Sequence, residues 1–353
     1  MAKVLMKGNE VIAETAIKAG CRSYFGYPIT PQSELIAYMA KRLPKMDGMF
    51  LQAESEVAAI NMVYGAACAG ARVMTSSSSP GISLKQEGIS YLVGAELPAV
   101  IVNIMRGGPG LGSIQPSQAD YFQATKGGGH GDYKIPVYAP ANLQEIVDLT
   151  YTAFDVADIY RTPVYILGDG MLGQMMEPVE FGNHVERALP PKDWATTGTR
   201  GDGKPKIINS LRLDPNDLEQ HNLNLQAKYR EIEEKEVKYE QYMTEDAEYI
   251  IVAFGIISRI AKTAISHARA AGLKVGMIRP ITLWPFPVQP FAETKNQVKA
   301  YLTVEMSAGQ MVEDVRLAVN GAKPVYFYGR MGGNVPTHEE IFNQVKEIAG
   351  GGK

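Results

Sequence analysis

Thr30, Glu56 and Arg106 stand where apolar segments give way to loops, and each is of a type that can do chemistry. Thr30 lies in "GYPITP" (26–31), between Pro28 and Pro31. A hydroxyl held between prolines is either a helix cap with proline at the first helical position, or a side chain aimed at a ligand. Capping accounts for Thr30 and Pro31 and leaves Tyr27 and Pro28 unexplained. Glu54 and Glu56 open an otherwise apolar helix, where the helix dipole favours carboxylates. The other reading of that pair is an acid turned inward to meet a ligand nitrogen. "TSSSSPG" (75–81) offers hydroxyls and backbone N–H groups to an anion or a polar ligand, or is an ordinary hydroxyl-rich turn. Arg106, in "NIMRGGPGLGSIQPSQAD" (103–120), suits bidentate capture of a carboxylate or phosphate, or a structural ion pair.

Alternating strand-like and helix-like segments position these four loops. The periodicity predicts helix 9–20, strand 22–26, helix 31–43, strand 48–52, helix 54–69 and strand 71–76. Helix 81–94, strand 98–105, helix 141–159 and strand 162–167 follow. Residues 189–206, rich in Pro, Gly and charge, read as a linker. A charged helix is expected over 214–245, with Asp214 and Pro215 as its cap and first residue, its charge run a solvated face and its apolar residues able to dock on a neighbour. A second unit alternates strands 249–254, 274–279, 299–304 and 324–328 with helices 257–271, 308–320 and 338–348. The expected architecture is α/β, two doubly wound, mostly parallel-sheet domains joined by a helical connector, with bounds 1–185, 186–247 and 248–353. In such sheets ligands bind at the carboxyl ends of strands.

The composition narrows the function. At 353 residues, 45% hydrophobic and with net charge −3, the chain can bury two cores and carries no basic stripe for nucleic acid. No apolar run reaches membrane-spanning length and the N-terminus lacks a signal-type apolar core, so a cytoplasmic location is expected. Two cysteines, Cys21 and Cys68, cannot hold a four-cysteine iron–sulfur cluster, and Cys68 in "YGAACAGA" reads as a core residue. The five histidines show no ligand spacing, and His130 in "KGGGHGDY" is the one in a glycine-rich loop. Gly-Asp-Gly occurs at 168–170 and 201–203 and looks like half of the Mg-diphosphate motif of thiamine diphosphate enzymes. The asparagine that motif needs is misplaced, since Asn183 is too near and Asn209 too far from the first copy. The second copy lies in the linker. No metal site is assigned.

In this order, "GYPITP", "AESEVAAINMVYGAACAGARVMTSSSSPGISLKQEG", "MRGGPG", "KGGGHGDY" and "GRMGGNVPTHEEI" resemble the α-subunit of the 2-oxoacid:ferredoxin oxidoreductases over nearly the whole chain. "SSSSPGISLKQEGISY" and "GDGMLGQMMEPVEF" look most like the branched-chain (2-oxoisovalerate) type, with the 2-oxoglutarate type second. The resemblance implies a domain like the pyrimidine-binding domain of thiamine diphosphate enzymes and a second like the transketolase C-terminal domain. It implies that Glu56 hydrogen-bonds the aminopyrimidine and favours its imino tautomer. It further implies that Thr30, with Tyr27 and Ile29, faces the substrate, that Arg106 binds the substrate carboxylate, and that Pro28, Ser78 and Ser79 line the cofactor. The implied reaction is oxidative decarboxylation of a 2-oxoacid with CoA to acyl-CoA, CO2 and reduced ferredoxin. The same resemblance puts the Mg-diphosphate site and iron–sulfur clusters on a β-subunit, with γ- and small ferredoxin-like subunits completing the complex. Two other classes stay open from the residues. A nicotinamide-linked dehydrogenase would need a G-x-G-x-x-G after a strand, within a strand–turn–helix unit. A non-catalytic subunit with a degenerate pocket would need none of these residues.

Overall fold

Continuous apolar runs bounded by glycine and polar turns become buried parallel strands. The computed structural model describes residues 3–182, 184–198 and 205–350, so Asn183 and the second Gly-Asp-Gly, 201–203, lie outside the described residues. The first half runs β1 (Val4–Lys7), α1 (Gly8–Lys18), β2 (Ser23–Gly26), α2 (Ser33–Arg42), β3 (Met49–Gln52), α3 (Glu56–Cys68), β4 (Val73–Ser77) and α4 (Ser79–Gly94). It continues with β5 (Ala99–Met105), α5 (Tyr121–Thr125), β6 (Val137–Tyr138), α6 (Leu143–Tyr160), β7 (Pro163–Asp169), α7 (Gly170–Gln174) and β8 (Met176–Val179). Helix α8 (Pro215–Lys235) connects it to β9 (Tyr239–Tyr242), β10 (Tyr249–Val252), α9 (Gly255–Ala270), β11 (Val275–Pro280) and β12 (Thr282–Trp284). Helix α10 (Gln289–Thr294), β13 (Ala300–Glu305), α11 (Met311–Val319), β14 (Val325–Gly329) and α12 (His338–Ala349) complete it.

The first sheet has the order β12-β6-β7-β5-β4-β2-β3 and the second β14-β13-β10-β11-β9. β5 and β7 are buried along their whole lengths and pair in register from Ala99 opposite Pro163 to Met105 opposite Asp169. The chain leaves β2 for β3 on one side and returns to β4 on the other. That reversal opens a crevice above the carboxyl ends of β2 and β4. α1 packs on α2 and α6, while α3 packs on α4, giving two helical layers. The doubly wound, mostly parallel architecture expected from the alternation is what is observed. Strand β12, from the second half of the chain, closes the first sheet by pairing antiparallel with β6.

Three local expectations are corrected. Thr30 does not cap a helix: α2 begins at Ser33 with Gln32 as its flanking residue. The Gln32 N–H instead closes a turn on the Ile29 carbonyl (3.2 Å), and Asn9 Nδ2 grips the Pro31 carbonyl (2.8 Å). The connector helix stops at Lys235 rather than 245, because Tyr239–Tyr242 joins the second sheet antiparallel to β11. Its apolar residues dock on the first unit, as the sequence allowed. His221, Leu225, Tyr229 and Ile232 form one buried stripe, His221 Nε2 lies 2.9 Å from the Gly94 carbonyl, and Lys228 pairs with Glu96 at 2.5 Å. Finally, Cys68 is half-buried rather than deep in the core.

The segment after Arg106 ties the halves together. Gln118 bonds the Phe254 carbonyl (3.0 Å) and the Met306 N–H (3.0 Å), while Tyr121 donates to Asp314 at 2.5 Å. Arg279, 4% exposed, holds Glu145 through both terminal nitrogens (2.8 and 2.7 Å) and Glu240 through Nε (2.7 Å). Among the described residues no helix is long and apolar enough to cross a membrane.

Candidate active site

The strand-end loops converge on the crevice in two neighbouring groups joined by the Ser77-Ser78-Ser79 turn. The first group centres on Glu56. Ser55 caps α3 by accepting from the Ala58 N–H (3.1 Å), which places Glu56 in the first turn, where the dipole favours a carboxylate. Glu56 is 6% exposed and makes no side-chain hydrogen bond to any described residue. It faces α4 at Gly81: a Cβ there would stand 2.6 Å from Glu56 Oε1 and closer still to Ser77 Oγ. Glycine is therefore required to keep that corner open. Ser77 Oγ and Ser78 Oγ are both buried without a partner. Such orphaned hydroxyls are rare inside proteins and mark sites completed by something else.

One turn along α4 from Gly81, Lys85 is completely buried and donates from Nζ to Thr75 Oγ1 at 2.9 Å. Thr75 in turn donates to the Phe25 carbonyl at 2.6 Å. Burial lowers the Lys85 pKa to about 8, against the attraction of the Glu56 charge, which raises it. Sequence reasoning missed this lysine.

The second group centres on Arg106, 7% exposed. Its Nη1 donates to the Thr30 carbonyl (2.9 Å) and its Nη2 to the Leu111 carbonyl (3.1 Å), while Nε is buried without a partner. The guanidinium thus clamps the "YPITP" turn to the glycine loop and retains an unused N–H. The Ser79 hydroxyl is engaged internally, donating to Asp120 Oδ2 (2.6 Å) and accepting from the Arg106 N–H (3.0 Å). Asn103 also donates to Asp120 (2.8 Å), and burial pushes the Asp120 carboxyl above its ordinary range. Of the serines in the turn, Ser77 and Ser78 are the ones with free hydroxyls, while Ser76 is taken up by Tyr24 and Gln32 at 2.6 Å each. Tyr27, Pro28 and Thr30 are exposed at the crevice rim and Ile29 is half-buried.

A 440 Å³ cavity lies beside Thr30 and Pro31, bounded by Gln115, Met171, Gly333 and Val335. Gly333, at φ +103°, lies against Gln115, so the C-terminal "GGNVP" loop closes over the first unit. His130 is not part of this site. It is exposed, with Nδ1 3.5 Å from Ser90 Oγ, towards the other end of α4. Asp169, from the first Gly-Asp-Gly, is committed as the cap of α7, accepting from the Met171 and Leu172 N–H groups at 2.9 and 3.0 Å.

This two-sheet frame is the fold of transketolase-type proteins: a split-gene transketolase, 15% identical, superposes with a TM-score of 0.61 over 97% of both chains. The family is narrower. Residues 14–243 match the model of the pyruvate flavodoxin/ferredoxin oxidoreductase thiamine diphosphate-binding region, and residues 247–341 match pyruvate:ferredoxin oxidoreductase core domain II. The chain belongs to this oxidoreductase family, the 2-oxoacid:ferredoxin oxidoreductases. It is 53% identical to the ketoisovalerate oxidoreductase subunit VorB of Methanothermobacter marburgensis, over 99% of each chain. The 2-oxoglutarate synthase subunit KorA of Methanothermobacter thermautotrophicus is 35% identical, over 97% of this chain and 98% of that one. A 2-oxoglutarate:ferredoxin oxidoreductase from Magnetococcus marinus, solved with 2-oxoglutarate, coenzyme A and succinyl-CoA bound, superposes with a TM-score of 0.87 at 28% identity. That match covers 98% of this chain and 65% of the other, so the chain spans about two thirds of the solved polypeptide.

Proposed function

We propose that the chain is the α-subunit of a CoA-acylating 2-oxoacid:ferredoxin oxidoreductase and that its preferred substrate is 3-methyl-2-oxobutanoate or another branched-chain 2-oxoacid. The observation that carries the catalytic reading is Glu56, a buried carboxylate with no hydrogen-bond partner facing an open glycine corner and two free hydroxyls. An aminopyrimidine fits that set, since a proton shared between the carboxylate and the ring nitrogen gives each the partner it lacks. The branched-chain preference is supported by the full-length likeness to a ketoisovalerate oxidoreductase subunit, which exceeds that to the 2-oxoglutarate synthase subunits.

Thiamine diphosphate, when bound, supplies the electron sink for decarboxylation. The rest falls to residues of this chain. Glu56 holds a proton at the ring nitrogen, acting as the general acid–base group. The free Nε–H of Arg106 is offered to the substrate carboxylate, with the Thr30 hydroxyl, Tyr27 and Ile29 around the reacting carbonyl. Ser78 and Pro28 line the cofactor, and Ser79 acts by fixing Arg106 and Asp120. The Mg-diphosphate site and iron–sulfur clusters are assigned to a β-subunit, with γ- and small ferredoxin-like subunits, in the cytoplasm. We divide the chain at 1–185 and 248–353, with the connector between.

The test is thiamine- and CoA-dependent viologen reduction by the purified complex across a panel of 2-oxoacids. The expected outcome is a kcat/KM for 3-methyl-2-oxobutanoate at least tenfold above that for 2-oxoglutarate. Preference for 2-oxoglutarate would replace the substrate assignment with the 2-oxoglutarate type. No reduction with any 2-oxoacid would leave the chain a non-catalytic subunit.

A further inference from the structure

Lysine is almost never fully buried unless paired, and Lys85 is buried completely with one hydrogen bond for its three donors. A methionine of similar length would avoid the cost of desolvating an ammonium, so packing alone does not call for a charge here. Its position supplies the reason. Gly81 and Lys85 are four residues apart on α4 and share a face. Helical side chains lean towards the helix N-terminus, so the lysine stem lies back over the turn that contains Gly81. That is the corner occupied by Glu56 Oε1 and Ser77 Oγ. Glu56 is the charged group that acts electrostatically on Lys85, and among the described residues the lysine makes no direct ion pair.

We propose that Lys85 is a positioning residue for Glu56: its buried ammonium keeps the neighbouring carboxylate charged and so biases the proton towards the cofactor side of the carboxylate–pyrimidine pair. The inference rests on the reading that Glu56 faces the pyrimidine. A buried carboxyl with no hydrogen-bond partner takes up a proton unless a cation opposes it. Lys85 is that cation, delivered from the helix that leaves room for the ligand. Thr75, bonded to both the lysine and the Phe25 carbonyl, holds the ammonium at the level of the sheet. The proton is shared between Glu56 and the ring nitrogen, and Lys85 exchanges none.

The test compares Lys85→Met, Lys85→Gln, Glu56→Gln and Lys85→Met/Glu56→Gln in the assembled complex. Lys85→Gln keeps a donor for Thr75 without the charge, which guards against a folding defect of the methionine variant. Without cofactor, infrared difference spectra should show a protonated-carboxyl stretch in both lysine variants at pH 7 and not in the wild type. The band should vanish in the double variant. Thiamine diphosphate affinity should fall at least tenfold in Lys85→Met, and the double variant should bind no more weakly than Glu56→Gln alone. Absence of the band, or an undiminished affinity loss from Lys85→Met on the Glu56→Gln background, overturns the proposal. Unchanged cofactor affinity and turnover in Glu56→Gln would instead overturn the pyrimidine reading, while the infrared band would still report on the lysine–glutamate pair.

Discussion

Arg106 does two jobs with one planar group, and that sets its sensitivity to substitution. Two terminal nitrogens bridge the Thr30 and Leu111 carbonyls, and the unpartnered Nε is the donor we propose for the substrate carboxylate. A lysine brings a single point of charge and cannot span two carbonyls while offering a third donor. Arg106→Lys should therefore raise KM for the 2-oxoacid at least tenfold and lower the melting temperature by several degrees, at about 1.5–3 kcal/mol for each charge-assisted hydrogen bond lost. Steady-state kinetics and thermal melts check this, and an unchanged KM with lowered stability would reduce Arg106 to a strut. Glu56, Thr30 and Arg106 were legible because acids, hydroxyls and arginines stand out at the ends of apolar runs. Lys85 was not, since a lysine inside a helix ordinarily reads as a solvated residue. Its spacing of four from Gly81 was the available signal. Asp120 was hidden for a different reason: its partners Ser79 and Asn103 are brought to it by the sheet, not by the sequence.

At the scale of elements, the first Gly-Asp-Gly is a helix cap with a cost. Burial raises the Asp169 pKa from 3.8 to about 6, the two backbone N–H bonds pulling the other way. The folded state then binds more protons than the unfolded one between those values, so stability falls as pH rises through about 3.8 to about 6. The destabilisation is fully present above that window. Asp169→Asn keeps an oxygen to cap α7 and removes the charge. It should raise stability by about 1–3 kcal/mol at pH 7, with the difference from wild type fading as pH approaches 4. Melts across that range check it. A loss of stability at pH 7 would mean that the Asp169 charge is needed. The core strands and helices were legible to within a few residues because period and breakers agree along their length. Elements that depend on distant partners were not. The β1–β8 ribbon and the antiparallel β12 on β6 are fixed by pairing across the chain. At α2, a strong local signal misled. Thr30-Pro31 reads as cap and first residue, yet the turn is pinned by Asn9 and Arg106 and the helix starts later.

The whole molecule presents an incomplete site on a rigid base. Gln118, Tyr121 and Arg279 lock the two sheets together, and the "GGNVP" loop packs on the arginine loop, so the second unit buttresses the crevice of the first. The crevice brings a carboxylate, hydroxyls and a guanidinium together, while the one described Gly-Asp-Gly is spent on capping. Under the proposed function this is the pyrimidine-side half of a catalytic centre, and the chain is then needed for turnover and not for assembly alone. Glu56→Gln in the assembled complex tests that most directly, because it preserves shape and removes the proton-holding carboxylate. Viologen reduction with 3-methyl-2-oxobutanoate should fall at least about 100-fold, the scale of a lost general acid–base group, with the subunits still co-purifying. Turnover equal to wild type in a complex of the same composition would contradict the account.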